Sequence, residues 1–132
     1  MNYPQDHTGY LYTTAIPVLL GEPKTAGRAA EEIYLRHQVT AHWFGRGRNL
    51  RLLFYAKRYR LPAPMNEISD NLLLQILLDF ASEQHGILAL YPCDRAAEDF
   101  VARNSEALES RYVILSLPDK GDLLAPLVRK SC

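Results

Sequence analysis

Cysteine is scarce: Cys93 and Cys132 are the only two in the 132 residues. Two thiols supply neither a zinc quartet nor a disulfide framework. Their scarcity fits a reducing, cytoplasmic setting. The four histidines, His7, His37, His42 and His85, stand apart with no C-x-x-C or H-x-x-x-H spacing. No metal site is expected from them. Net charge is lacking too, with 15 basic and 15 acidic side chains and a formal sum of +0. No bulk field therefore draws the chain to nucleic acid or to a membrane. Long apolar runs are missing. The longest, residues 68–81, is interrupted by Ser69, Asp70, Asn71, Gln75 and Asp79, too short and too polar to span a bilayer. The polar first residues hold no basic segment followed by an apolar one, so no signal peptide is expected. Complete glycine motifs are absent as well. Gly21 and Gly27 are too far apart for G-x-G-x-x-G, and five residues between them with Arg28 following rule out a Walker A loop.

What is present is a 48% hydrophobic chain, enough for one core at this length. Residues 1–14 are polar and read as an extended arm. Residues 16–20 (IPVLL) form a short buried strand that ends at Gly21. A polar turn follows, Glu22, Pro23, Lys24 and Thr25, with Thr25 as candidate N-cap. A helix then runs to about His37, with Ala26, Ala29, Ala30, Ile33 and Tyr34 on one side. Residues 39–44 make a second strand, closed by Gly45-Arg46-Gly47. Residues 49–57 (NLRLLFYAK) suit a short helix with Leu50, Leu53 and Phe54 inward, and residues 59–61 an edge strand stopped by Pro62 and Pro64. Asn66 or Ser69 caps the next helix, whose apolar face is Leu72, Leu73, Ile76, Leu77 and Phe80. Gly86 ends it. Residues 87–91 (ILALY) have the continuous apolar character of a central parallel strand. After Pro92-Cys93-Asp94, Asp94 caps a helix over residues 96–110, with Ala97, Phe100, Val101 and Leu108 inward. Residues 112–117 are the last strand.

This alternation predicts a doubly wound α/β domain: three layers, a mostly parallel sheet of about five strands, order 3-2-1-4-5. Strands one and four are then neighbours, and ligands in such sheets sit outside the carboxyl ends where the strand order reverses. Here that point lies between Gly21–Thr25 and Pro92–Asp94. Backbone N–H groups at a helix start can hold a carboxylate or phosphate, and Lys24 adds charge; a plain connecting turn needs the same residues. Cys93 with a histidine is a conceivable hydrolytic pair, although a cysteine at a strand end is commonly just packed there. A phosphoacceptor receiver domain is a rival reading because Asp94 follows a strand, but Glu22 alone meets poorly the need for paired acids after strand one. Arg46, Arg48, Arg51, Lys57, Arg58 and Arg60 lie in one stretch with no acid among them. Phe54, Tyr55 and Tyr59 could stack on bases there. A solvated helix face carries the same residues, so nucleic acid has little support as a partner.

The series IPVLLG, AGRAAEEIYLRH, RYRLPAP, ILALYPCDRAAEDFVARN and LPDKGDLL resembles the N-terminal, Rossmann-like pre-ATP-grasp domain of ATP-grasp ligases. The most similar group is the carboxylate–amine ligases that include D-aspartate ligase and relatives of carbamoyl-phosphate synthase. Gly21, Pro92, Asp94, Asp119, Lys120 and Gly121 match that pattern, and the likeness covers nearly the whole chain from Ala15. Cys93 stands where the family often has threonine or serine, and Pro126 interrupts the segment after Lys120. The resemblance implies a domain over residues 15–118 and, from 119 to 132, the start of a connection to an ATP-grasp core that this chain lacks. It implies substrate contacts from Gly21, Glu22, Pro23, Lys24, Thr25, Cys93 and Asp94, toward a small carboxylate or amine, with Lys120 facing the nucleotide phosphates. ATP and Mg2+ would serve the full-length parent. This chain alone would hold neither and have no activity. Residues 123–128 (LLAPLV) are more apolar than a free tail needs, and are a candidate homodimer contact in the core's absence. The alternative is a free-standing Rossmann-like module that binds a small ligand or a protein without catalysis.

Overall fold

The apolar run that ends at Gly21 becomes the central strand of a five-stranded, all-parallel sheet. The computed structural model describes residues 15–117. The elements in order are β1 (Ala15–Leu20), α1 (Pro23–His37), β2 (Ala41–Gly45), α2 (Leu50–Tyr55), β3 (Ala56–Arg60), α3 (Asp70–Ser82), β4 (Ile87–Pro92), α4 (Arg95–Arg103), α5 (Ser105–Leu108) and β5 (Val113–Ile114). The strand order is β3-β2-β1-β4-β5, and every neighbouring pair is parallel. The doubly wound, Rossmann-like α/β fold expected from the sequence is therefore observed, with helices on both faces. The expected N-terminal arm, Lys120 and the apolar run 123–128 lie outside the described residues.

Side-chain alternation along the strands builds two cores. On one face Leu19, Trp43, Ala89 and Tyr91 meet Ala26, Ala29, Ala30 and Ile33 of α1 and Leu52 of α2. The small residues of α1 let that helix sit close to the sheet, and Trp43 and Tyr91 fill the space beside it. On the other face Val18, Leu20, Phe44 and Leu90 meet Leu73, Leu77 and Phe80 of α3, and Phe100 and Leu108. Pro17 is buried in β1 yet harmless. Gly21 N donates to Phe44 O, so by period two the nitrogen of residue 17 also faces β2. The β1–β2 ladder begins only at Val18, so the missing N–H falls before it.

Several boundaries differ from expectation, each for a local reason. Glu22, not Thr25, caps α1: its carboxylate accepts from Thr25 N at 2.6 Å, and Pro23 takes the first helical position, where a missing N–H costs nothing. Leu50, Leu53 and Phe54 are not core but 70%, 53% and 69% exposed. Helix α2 has only six residues and runs straight into β3, so it has room to bury Leu52 alone. Leu72 also faces solvent, leaving Leu73, Leu77 and Phe80 as the buried stripe of α3, which Ser69 caps. The helix expected over 96–110 breaks at Asn104. That side chain donates to Phe100 O at 2.9 Å and to Asp70 Oδ2 at 3.0 Å, and the chain restarts as α5. Capture of a polar side chain by its own backbone competes with helix continuation. Arg103 reinforces the tie with two bonds to Asp70, 2.9 and 3.0 Å, which hold that carboxyl down at about 2. The last strand shrinks to Val113–Ile114. Tyr112 is claimed by the helical side instead: its hydroxyl donates to Leu77 O at 2.6 Å and its N–H to Leu108 O at 2.8 Å.

Candidate functional site

Because β1 and β4 pair in parallel with Leu20 opposite Pro92, their carboxyl ends open on one rim. Gly21 follows one strand and Cys93 the other, as the sequence reading required. Three hydrogen bonds knit this point. Cys93 N donates to Leu20 O at 2.8 Å, Gly21 N to Phe44 O at 3.0 Å, and the buried Trp43 indole to Gly21 O at 2.9 Å. Gly21 has φ +120°, and a methyl group placed on it would meet Asp94 Oδ2 at 2.6 Å. Gly21 and Asp94 are thus in contact across the point where the strand order reverses.

The two helix starts at this rim are already served by the chain's own carboxylates. Glu22 caps α1. Asp94 Oδ1 accepts from Ala97 N at 2.7 Å and caps α4. Each carboxylate takes the position that an anionic ligand would otherwise take at a helix N-terminus. Two acids at one rim favour a cationic or amine group as the guest.

The remaining sequence-derived residues divide. Thr25 and Cys93 line a cleft of about 440 Å3 together with Arg28, Glu98 and Ser116. Pro23 turns the other way, toward Gly47, and Lys24 is exposed. Cys93 is buried, with its thiol directed at Tyr91 O, 3.5 Å away. Burial, joined by the negative charges of Asp94 and Glu22, pushes that thiol up to about 12, against a smaller opposing effect from Leu20. A thiol so protonated is no nucleophile, so the hydrolytic pairing considered for Cys93 finds no support. In a Cys132→Ser chain at pH 8, Cys93 is expected to resist iodoacetamide in the native state. Its thiolate fraction is roughly a thousandfold below that of an unfolded cysteine. Equal labelling rates in buffer and in urea, followed by mass spectrometry, would contradict the burial.

A second cleft of about 440 Å3 opens at the carboxyl ends of β2 and β3, lined by Trp43, Gly45, Gly47 and four arginines, Arg46, Arg48, Arg58 and Arg60. Sequence reading met these arginines only as part of a basic stretch. The R-x-R spacing of Arg58 and Arg60 is the available signal, since residues two apart on a strand share a face; for Arg46 and Arg48, in the loop after β2, it gives none.

Among the described residues no three His, Cys, Asp or Glu side chains come together to hold a metal, and no helix is long and apolar enough to cross a membrane. Comparison of the chain with protein-family models, curated proteins and solved structures finds no match.

Proposed function

We propose that this chain is the substrate-binding N-terminal domain of an ATP-grasp carboxylate–amine ligase that acts in the cytoplasm. The observation that carries the reading is the contact of the Gly21 turn with Asp94 at the carboxyl ends of two adjacent parallel strands. That is where the resemblance puts the wall of the acceptor site. The order of motifs along the chain supports it, as does the unpaired, buried Cys93, which suits a reducing compartment. Mg-ATP belongs to the parent's core in this reading, where transfer of the γ-phosphoryl group to a carboxylate would release ADP and an amine would then displace inorganic phosphate from the acyl phosphate to form the amide. The described residues supply what precedes that chemistry. Asp94 and Glu22 hold the amine end of the acceptor by charge, and the missing side chain at Gly21 lets the Asp94 carboxylate sit against the turn. Lys120 is assigned to the ATP phosphates, where a positive charge offsets charge on the transferring group.

The test is steady-state ADP release by the full-length parent. Asp94→Asn keeps a good helix cap and removes the charge. It is expected to raise the acceptor KM by about tenfold or more, with little change in kcat, as loss of a charge-assisted hydrogen bond does. Lys120→Ala is expected to lower kcat instead. Residues 1–132 alone should release no ADP. Turnover by this chain alone, or an Asp94→Asn enzyme with an unchanged acceptor KM, would overturn the assignment.

A further inference from the structure

We propose that the arginine cleft at the carboxyl ends of β2 and β3 binds the phosphate group of a small phosphorylated organic molecule. Four arginines line it from two separate elements. Arg46 and Arg48 come from the loop after β2, and Arg58 and Arg60 from β3. Parallel register sets Arg58 beside Trp43 and Arg60 beside Gly45, so both arginines stand on the sheet face that carries Trp43. Gly45 and Gly47 add no side chain of their own to the lining, and the places a Cβ would take there are filled by Gly21 O and the Trp43 ring at residue 45 and by Pro23 at residue 47. Arg46 is held in place: its Nη1 donates to Leu61 O at 2.8 Å. The cleft lies on the carboxyl-end rim of the sheet, the side on which doubly wound folds bind ligands, beside the point where the strand order reverses and not at it.

Charge on an edge strand has a plainer use, since lysines and arginines there discourage sheet-to-sheet pairing. That accounts for Lys57, Arg58 and Arg60. It does not account for Arg46 and Arg48, which come from a loop and converge on the same cleft. No acid lines it. The ion pairs among the described residues use Arg36, Arg51 and Arg103, and none of the four cleft arginines. In a chain of formal charge +0, four like charges around one opening are an imbalance that a multiply charged anion relieves. Forked guanidinium donors match phosphate oxygens two at a time.

An adjoining cleft of about 420 Å3 shares Trp43, Gly47, Arg48 and Arg58 and adds Asn49, Leu50 and Leu53. The exposure of Leu50 and Leu53, unexplained by the core, gives the organic part of the ligand an apolar wall beside the phosphate. Binding sites of this kind combine apolar lining with a few placed polar groups. The site adjoins the Gly21 turn through Trp43 and Gly47, which touch Gly21 and Pro23, but no acid lines it and the proposal does not depend on the ligase reading.

The experiment is calorimetry on residues 1–132 with pyrophosphate as probe, without ATP or metal. We expect one site per chain, an affinity that falls as salt is raised, and at least about tenfold weaker binding by Arg58→Gln/Arg60→Gln. Arg36→Ala/Lys57→Ala removes the same charge elsewhere and should change affinity by less than about twofold. The single tryptophan, Trp43, reports the fold of each variant by its fluorescence. Absence of pyrophosphate binding, retention of it by the Arg58/Arg60 variant, or equal loss in the control pair would each overturn the proposal. So would tighter binding of a single-stranded oligonucleotide with a steeper salt dependence, which would reassign the arginines to a nucleic-acid backbone.

Discussion

Gly45→Ala is expected to cost about 3 kcal/mol of stability, although it adds one methyl group at the end of a strand. An ideal Cβ at residue 45 would lie 2.5 Å from Gly21 O and 2.6 Å from Trp43 Cζ2. Neither neighbour yields cheaply. Gly21 O is backbone of the central strand's exit and accepts the indole N–H of Trp43. Trp43 is 3% exposed and packed against α1 and α2. Overpacking of this kind costs roughly 1–3 kcal/mol. If the indole swings away, its buried N–H loses a partner, about 1–3 kcal/mol more. Urea unfolding followed through Trp43, the only tryptophan, measures both the stability loss and a red shift of the native emission. Trp43→Leu should make room, so the Gly45→Ala/Trp43→Leu double variant should be more stable than the two single losses added together. A loss below about 0.5 kcal/mol for Gly45→Ala would mean that Trp43 does not lie across Gly45 in solution.

The crowding at Gly45 was not visible in the sequence, and the reason applies to other misses. Sequence reading works where one local signal decides. Residues 87–91 are apolar without interruption, and they form β4, an interior strand beside the central β1. Ser69 before an apolar-periodic segment caps α3. The order β3-β2-β1-β4-β5 follows from alternation of strands and helices, because parallel strands need crossovers. Reading fails where the deciding partner is distant in the chain. The break at Asn104 depends on Asp70, 34 residues earlier. Leu50, Leu53 and Phe54 are spaced like a buried face, but period alone does not say how much sheet is left for a six-residue helix to cover. No turn residue marks the passage from Tyr55 to Ala56, where α2 becomes β3. The rim residues Gly21 and Asp94 were legible because topology brings the ends of β1 and β4 together. That the carboxylates there cap their own helices is half legible: Asp94 stands where a cap is expected, whereas cap preference favours Thr25 over Glu22 at the start of α1. The arginine cleft was legible as composition only, since its convergence depends on the register between β2 and β3.

Gly21→Ala is expected to cost about 3 kcal/mol, and a second substitution separates its two causes. At φ +120° an alanine is strained whatever surrounds it, by roughly 1–3 kcal/mol. Its methyl group would also meet Asp94 Oδ2 at 2.6 Å. The carboxylate can retreat only by giving up its bond to Ala97 N, a cap worth about 1 kcal/mol. Asp94→Ala alone should therefore cost about 1 kcal/mol. In the Gly21→Ala/Asp94→Ala protein the collision is gone and the cap is lost once, not twice. Its total loss should fall short of the sum of the singles by about 1 kcal/mol, in the range of coupling between residues in contact. Strict additivity, within about 0.3 kcal/mol, would mean that Gly21 and Asp94 do not touch, and with that contact would go the observation on which the acceptor site rests. Under the proposed ligase function, Asp94→Ala should also weaken binding of the amine-bearing acceptor. Gly21→Ala, which pushes the carboxylate aside without removing its charge, should weaken it less.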